Sequence, residues 1–147
     1  MFSGSKRKPV EEEKGYHIDL GENYKIDKSS KVYKITRKSD KKVFAMKIFE
    51  KLKEDEQIKE IEVARMIDNP FITKVIEVIP LEDKKGMVME LANMGSFQKL
   101  IDKRIKDNSP YTEVEIMRIA ANIAFALLGI NSRGVQHRDL KPKNILV

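Results

Sequence analysis

The segment His137–Val147, HRDLKPKNILV, places a histidine, an arginine, an aspartate, two lysines and an asparagine within eight positions. It then runs into the apolar triplet Ile145-Leu146-Val147, and Gly134, a helix-ending residue, precedes it. Charges gathered in a short loop between apolar elements point to a site that uses them. Asp139 and Asn144 are five residues apart, so one loop can present both to the same phosphate and metal centre. The alternative for Asp139 is a purely structural cap.

A second isolated charge lies far upstream. Val43–Phe49, VFAMKIF, is apolar except for Lys47. A buried ammonium is costly unless it is paired. Lys47 is therefore either a snorkelling residue on an edge strand or a functional group with a carboxylate partner. The partner should lie on the next element. Glu54–Ile67 carries Ile58, Ile61, Ala64 and Ile67 at helical spacing and is ended by Asn69-Pro70. Glu60 and Glu62 compete for the role; two residues apart, they point to different helix faces.

Together these segments resemble protein kinases. His137 to Asn144 matches the catalytic loop H-R-D-x-K-x-x-N at every defining position, and Phe44-Ala45-Met46-Lys47 resembles the V-A-I-K strand. The Asp-Leu-Lys-Pro-Lys-Asn form is similar to that of serine/threonine kinases. The resemblance implies ATP and Mg2+ as cofactors and phosphoryl transfer to a protein hydroxyl. By position it makes Asp139 the base that accepts or orients the hydroxyl proton, Lys141 the group facing the transferred phosphoryl, and Asn144 a magnesium ligand. Lys47, held by Glu60, would grip the α- and β-phosphates. Val32, Ala45 and Leu146 would line the nucleotide. Met89-Glu90-Leu91-Ala92 resembles the hinge between the lobes, with Met89 beside the adenine and the backbone of Glu90 and Ala92 at its edge.

Two departures qualify the match. With Val32 as the closing valine of the glycine-rich loop G-x-G-x-x-G-x-V, the glycine positions hold Lys25, Asp27 and Ser30. Glycines there let backbone N–H groups approach phosphates closely, and Asp27 adds a repelling carboxylate. Gly21 offers a rival register. A nucleotide-poor pseudokinase or scaffold is thus one alternative, and a truncated interaction module is another. The family's D-F-G and A-P-E segments do not follow Val147, so a partial, truncated kinase domain is expected, inactive by itself.

The elements that must position these residues read as an α+β fold, a protein-kinase-like antiparallel-sheet N-lobe with one regulatory helix plus the beginning of a helical C-lobe. Lys31–Thr36 alternates as a half-buried strand, and the turn Lys38–Lys42 joins it to Val43–Phe49 as a hairpin. Leu20-Gly21-Glu22 fits the start of a first strand. Phe71–Pro80 and Gly86–Leu91 read as strands around the turn Glu82–Lys85. Ser96–Ile105 reads as a short amphipathic helix. Thr112 and Glu115 form a capping box opening a helix that is apolar around most of its circumference. The expected divisions are a flexible tail at 1–15, an N-lobe at 16–91 and a partial C-lobe at 92–147.

Composition is consistent with this. Of 147 residues, 41% are hydrophobic, enough for a core, and the 35% that are charged mix both signs into a net +6. Such mixing reads as a solvated face, so no nucleic-acid partner is expected; Lys6-Arg7-Lys8 is a solvated tail or a nuclear address. There is no cysteine, which excludes a disulfide framework. No apolar run reaches the roughly 20 residues that span a bilayer, and no secretory h-region opens the chain, so no membrane partner and an intracellular, cytoplasmic location are expected. The oligomeric state leaves no trace in the sequence.

Overall fold

A computed structural model describes residues 15–25, 30–49, 52–81 and 84–147. Residues 1–14 of the expected tail, including Lys6-Arg7-Lys8, lie outside the described residues, as do Asp27 and the turn residues Glu82 and Asp83. Five strands form one antiparallel sheet: β1 (Tyr16–Lys25), β2 (Ser30–Arg37), β3 (Val43–Phe49), β4 (Val75–Pro80) and β5 (Lys85–Met89), in the order β1-β2-β3-β5-β4. Helix α1 (Glu54–Met66) connects β3 to β4, and α2 (Phe97–Lys106), α3 (Glu113–Asn131) and a 3-10 turn (Pro142–Asn144) follow the sheet.

The β2–β3 hairpin is fixed by its turn. Asp40 accepts both Nε (2.9 Å) and Nη2 (2.6 Å) of Arg37 and the backbone N–H of Lys42 (3.2 Å), while Lys41 takes a left-handed φ of 59°. The Arg37 fork holds the Asp40 carboxyl well below the usual carboxylate range. Over the sheet face, Tyr16, Ile18, Ile35, Phe44, Met46, Ile48, Ile79 and Val88 form the core. Tyr16 meets Phe44 edge-on at 6.2 Å and donates its hydroxyl proton to Glu77. That bond links β1 and β4, the two edge strands of the sheet, and burial pushes the Tyr16 phenol up.

Three boundaries differ from the sequence reading by two residues or more. The first strand begins at Tyr16, four residues before Leu20, because Tyr16 and Ile18 belong to the core. The fourth begins at Val75 rather than Phe71: Asn69 Oδ1 accepts the Phe71 N–H (2.8 Å) and Asn69 O accepts that of Ile72 (3.0 Å), which turns the chain first. The fifth runs Lys85–Met89 and stops before Glu90.

Helix α1 opens with Glu54, Asp55 and Glu56, favourable at a helix N-terminus. Glu56 accepts the Lys53 N–H (3.0 Å), and the side chain of Gln57 donates to Leu52 O (2.8 Å). Ser96 caps α2, and the Thr112–Glu115 capping box is present on α3. The C-terminal end of α3 lies against the Asn69 turn. Asn69 Nδ2 donates to Phe125 O (3.1 Å), the rings of Phe71 and Phe125 stack at 5.9 Å, and a Cβ on Gly129 would fall 2.2 Å from Asn69 Nδ2. Residues 145–147 are held to 94–97 by Phe97 N–H to Ile145 O (2.7 Å) and Met94 N–H to Val147 O (2.8 Å).

The contacts divide the described residues into two compact units, one from those up to Ile61 together with Val75–Leu91, the other from Glu62–Lys74 and Ala92–Val147. Among the described residues no helix is long and apolar enough to cross a membrane.

Candidate active site

In the first unit, the antiparallel register places Val32 opposite Lys47 and Ala45 opposite Met89. Val32 and Ala45 are buried, while Lys47 is half-buried, its side chain 16% exposed. Its ammonium is not orphaned. Nζ donates to Glu60 Oε1 at 2.6 Å and lies 5.2 Å from the centre of the fully buried Phe49 ring. The partner is therefore Glu60 and not Glu62. Glu60 projects from α1 one residue before the buried Ile61, which seats this part of the helix. Of the hinge residues, Met89 ends β5 half-buried and Glu90 is exposed. Lys25 ends β1 and Ser30 opens β2; Asp27 is outside the described residues.

In the second unit, the loop after α3 folds on its own polar groups. Asp139 accepts from Lys141 Nζ with both oxygens (2.9 and 2.7 Å). Asn144 Nδ2 donates to the backbone O and to Oδ2 of Asp139, each at 2.9 Å. The Asp139 N–H donates to His137 O (2.8 Å) and faces His137 Nδ1 at 3.3 Å. Pro142 opens the 3-10 turn, and the Asn144 N–H closes it on Lys141 O (2.9 Å). This turn carries Asn144 back to Asp139. Arg138 takes a left-handed φ of 60°, a conformation that a non-glycine residue adopts at a cost. Lys141 first, then Asn144, hold the Asp139 carboxyl below the ordinary carboxylate range. Leu146, exposed, bridges to Ser96, and Ala92 is half-buried.

The structure thus joins Lys47 to Glu60 in one unit and Asp139, Lys141 and Asn144 in the other. The Lys141–Asp139 chelate and the strained Arg138 were not anticipated. A lysine two residues after an aspartate is a weak cue, and backbone strain leaves none. The donor set suits magnesium in one respect. Both Asn144 amide hydrogens are spent on Asp139, which leaves Oδ1 as the acceptor available to a hard cation. Among the described residues no group of three or more His, Cys, Asp or Glu side chains is placed to hold a metal ion. A cation here would take one or two side-chain oxygens and rely on phosphates for the rest, as magnesium does.

A strand lysine paired to a helix carboxylate, with a carboxylate, ammonium and amide gathered on one loop, is the arrangement met in the phosphotransfer class of protein kinases. The chain belongs to the protein kinase family, matching the protein kinase domain over residues 27–147. Its relatives include serine/threonine kinases. It is 36% identical over 121 residues to a probable myosin light chain kinase of Dictyostelium discoideum, covering 80% of this chain and 37% of that one. It is 38% identical over 136 residues to calcium-dependent protein kinase 5 of Plasmodium falciparum, covering 89% and 23%. It is 32% identical over 120 residues to human serine/threonine-protein kinase H2, covering 80% and 30%. Among solved structures, Rad53 1–466 in complex with AMP-PNP matches with a TM-score of 0.79 at 28% identity, over 90% of this chain and 34% of that one. The fold is therefore kinase-like, and the chain is a partial kinase domain that spans about a third of these relatives or less. The scaffold and interaction-module alternatives are not favoured by these relationships.

Proposed function

We propose that this chain supplies the phosphate-holding pair and the catalytic loop of a serine/threonine protein kinase that transfers the γ-phosphoryl of ATP to a protein hydroxyl. The observation that carries the reading is the closed network in which Asp139 is held by Lys141 and Asn144 within six residues. In this reading Asp139 orients the substrate hydroxyl and takes its proton. Lys141 moves from the carboxylate to the transferred phosphoryl oxygens, where an ammonium already beside the base needs no large rearrangement. Asn144 Oδ1 helps hold the magnesium ion, which when bound neutralises phosphate charge. Lys47, kept upright by Glu60, binds the α- and β-phosphates. Val32, Ala45 and Leu146 contact the nucleotide, with Met89 and the backbone of Glu90 and Ala92 at the adenine. A kinase using ATP works inside the cell, in keeping with a cytoplasmic location.

The test is phosphotransfer from ATP to a protein substrate by the intact gene product. Asp139→Asn keeps the shape and one oxygen facing Lys141 but removes the proton acceptor. The expected result is a loss of kcat of about 10²- to 10⁴-fold with little change in nucleotide affinity. Undiminished turnover by Asp139→Asn would overturn the assignment.

A further inference from the structure

We propose that Ser109 is a phosphorylation site for kinases that require proline after the acceptor, and that Arg104 is the receiver of the phosphate placed there. This inference does not depend on the chain's own catalytic competence.

Ser109 and Pro110 are exposed in the irregular segment between α2 and α3. Proline after an acceptor biases the acceptor away from helical backbone toward the extended form in which a peptide enters a kinase. Pro110 also has no N–H to leave unpaired during that entry.

The receiver is visible in the contacts of Arg104. Its Nη2 donates to Glu115 Oε1 at 2.5 Å, a short charge-assisted bond, and its face lies 4.5 Å from the Tyr111 ring centre. Tyr111 packs in turn on Phe97 at 5.7 Å, so the guanidinium is held in place. Its Nη1 is engaged poorly. It reaches only Ser109 Oγ and Pro110 O, both at 3.5 Å, beyond the usual range of about 2.7–3.2 Å. One arm of the fork is therefore bound tightly, and the other is aimed at a serine hydroxyl without closing on it. A phosphoryl group on that hydroxyl places charged oxygens at Nη1 and completes the fork. Glu115 keeps its other oxygen on the Thr112 N–H (2.8 Å), so the capping box of α3 survives the change. Asp107, the acid nearest to Ser109 in sequence on the α2 side, is already paired with Lys103 at 2.7 Å.

In the modification, Ser109 Oγ bonds to the γ-phosphorus of ATP as the bond from that phosphorus to the β,γ-bridging oxygen breaks. ADP leaves with the electron pair, and the hydroxyl proton passes to the modifying kinase's carboxylate. The phosphate gains charge of about −1.5 to −2 and ties the α2–α3 connection to Arg104.

The chain would be incubated with a proline-directed serine/threonine kinase and ATP, and the site mapped by mass spectrometry. The expected result is incorporation at Ser109 that Ser109→Ala abolishes. Phosphorus NMR then follows the second ionisation of the phosphoserine. Its midpoint, near pH 6 in a free peptide, is expected to fall in the folded chain and to return toward the peptide value in Arg104→Gln. If Arg104→Gln does not fold, the shift between folded wild-type chain and free 102–116 peptide decides alone. No incorporation at Ser109 would overturn the site, and a midpoint equal to that of the peptide would overturn the receiver.

Discussion

A carboxylate that accepts an ammonium at 2.7 Å and an amide at 2.9 Å gives up its proton more readily than a free one. Asp139 is held in this way, chiefly by Lys141 and then by Asn144. Because its folded-state value is depressed, any stability it contributes is present above the ordinary carboxylate value and is lost as pH falls through the depressed one. With a side chain 62% exposed, that contribution is small, and the functional consequence matters more. If Asp139 is the proton acceptor, the acidic limb of the kcat/KM profile, which reports the free enzyme, lies below the ordinary carboxylate range. Lys141→Met removes the main cause, so that limb should move to higher pH while kcat/KM falls; an unmoved limb would separate Asp139 from that ionisation. A second residue-scale expectation concerns Glu60. Glu60→Gln leaves the half-buried Lys47 without its counter-ion, at a cost of about 1–3 kcal/mol. In thermal denaturation the variant should lose several degrees, and ATP should bind more weakly as the ammonium loses its fixed position.

At the scale of elements, what was legible in the sequence was whatever is local. The β2–β3 hairpin follows from alternation and a charged turn, and α3 from its capping box and apolar spacing. The Lys47–Glu60 pair was legible because a lone lysine in an apolar strand demands a carboxylate, and the resemblance to kinases, not spacing alone, chose Glu60 over Glu62. What was not legible depends on distant partners. The start of β4 is delayed by a turn that Asn69 organises, and Asn69 is itself placed by α3, 56 residues on. Arg104 likewise joins Glu115 and Tyr111 across a loop, with no periodicity to announce it. The Asn69–α3 contact yields a prediction. Gly129→Ala gains up to about 1 kcal/mol of helix propensity. Its Cβ, however, displaces Asn69 and so threatens bonds to Phe125 O and from the Phe71 N–H. Overpacking and lost hydrogen bonds together cost about 1–3 kcal/mol, so the net effect should be destabilising. In the Asn69→Ala background the same substitution should be neutral or stabilising; additive losses in the two single variants would refute the contact.

On the scale of the whole molecule, burial is unevenly shared. Among the described residues, every buried hydrophobic side chain except Ile130 belongs to the unit built on the sheet, and Ile35, Phe49 and Val88 there are 0% exposed. In the other unit, α3 leaves Val114, Ile116, Met117, Phe125 and Leu128 more than half exposed. Each buried aliphatic or aromatic side chain contributes about 1.5–3 kcal/mol, and a helix of 19 residues is marginal in water without such packing. The capping box, of the order of 1 kcal/mol, holds the first turn of α3 but does not replace a core. Opening should therefore cost least in α3 and most in β2, β3 and β5, where ladder hydrogen bonds and core side chains coincide. Native-state hydrogen exchange of this chain should show amides of Glu113–Asn131 exchanging at least about tenfold faster than those of β3, a difference of about 1.4 kcal/mol in opening free energy. The polar loop from His137 to Asn144, tied together mainly by its own side chains, should follow α3 rather than the sheet. Equal protection of α3 and β3 would mean that the two units open as one, and that burial within each does not set its stability.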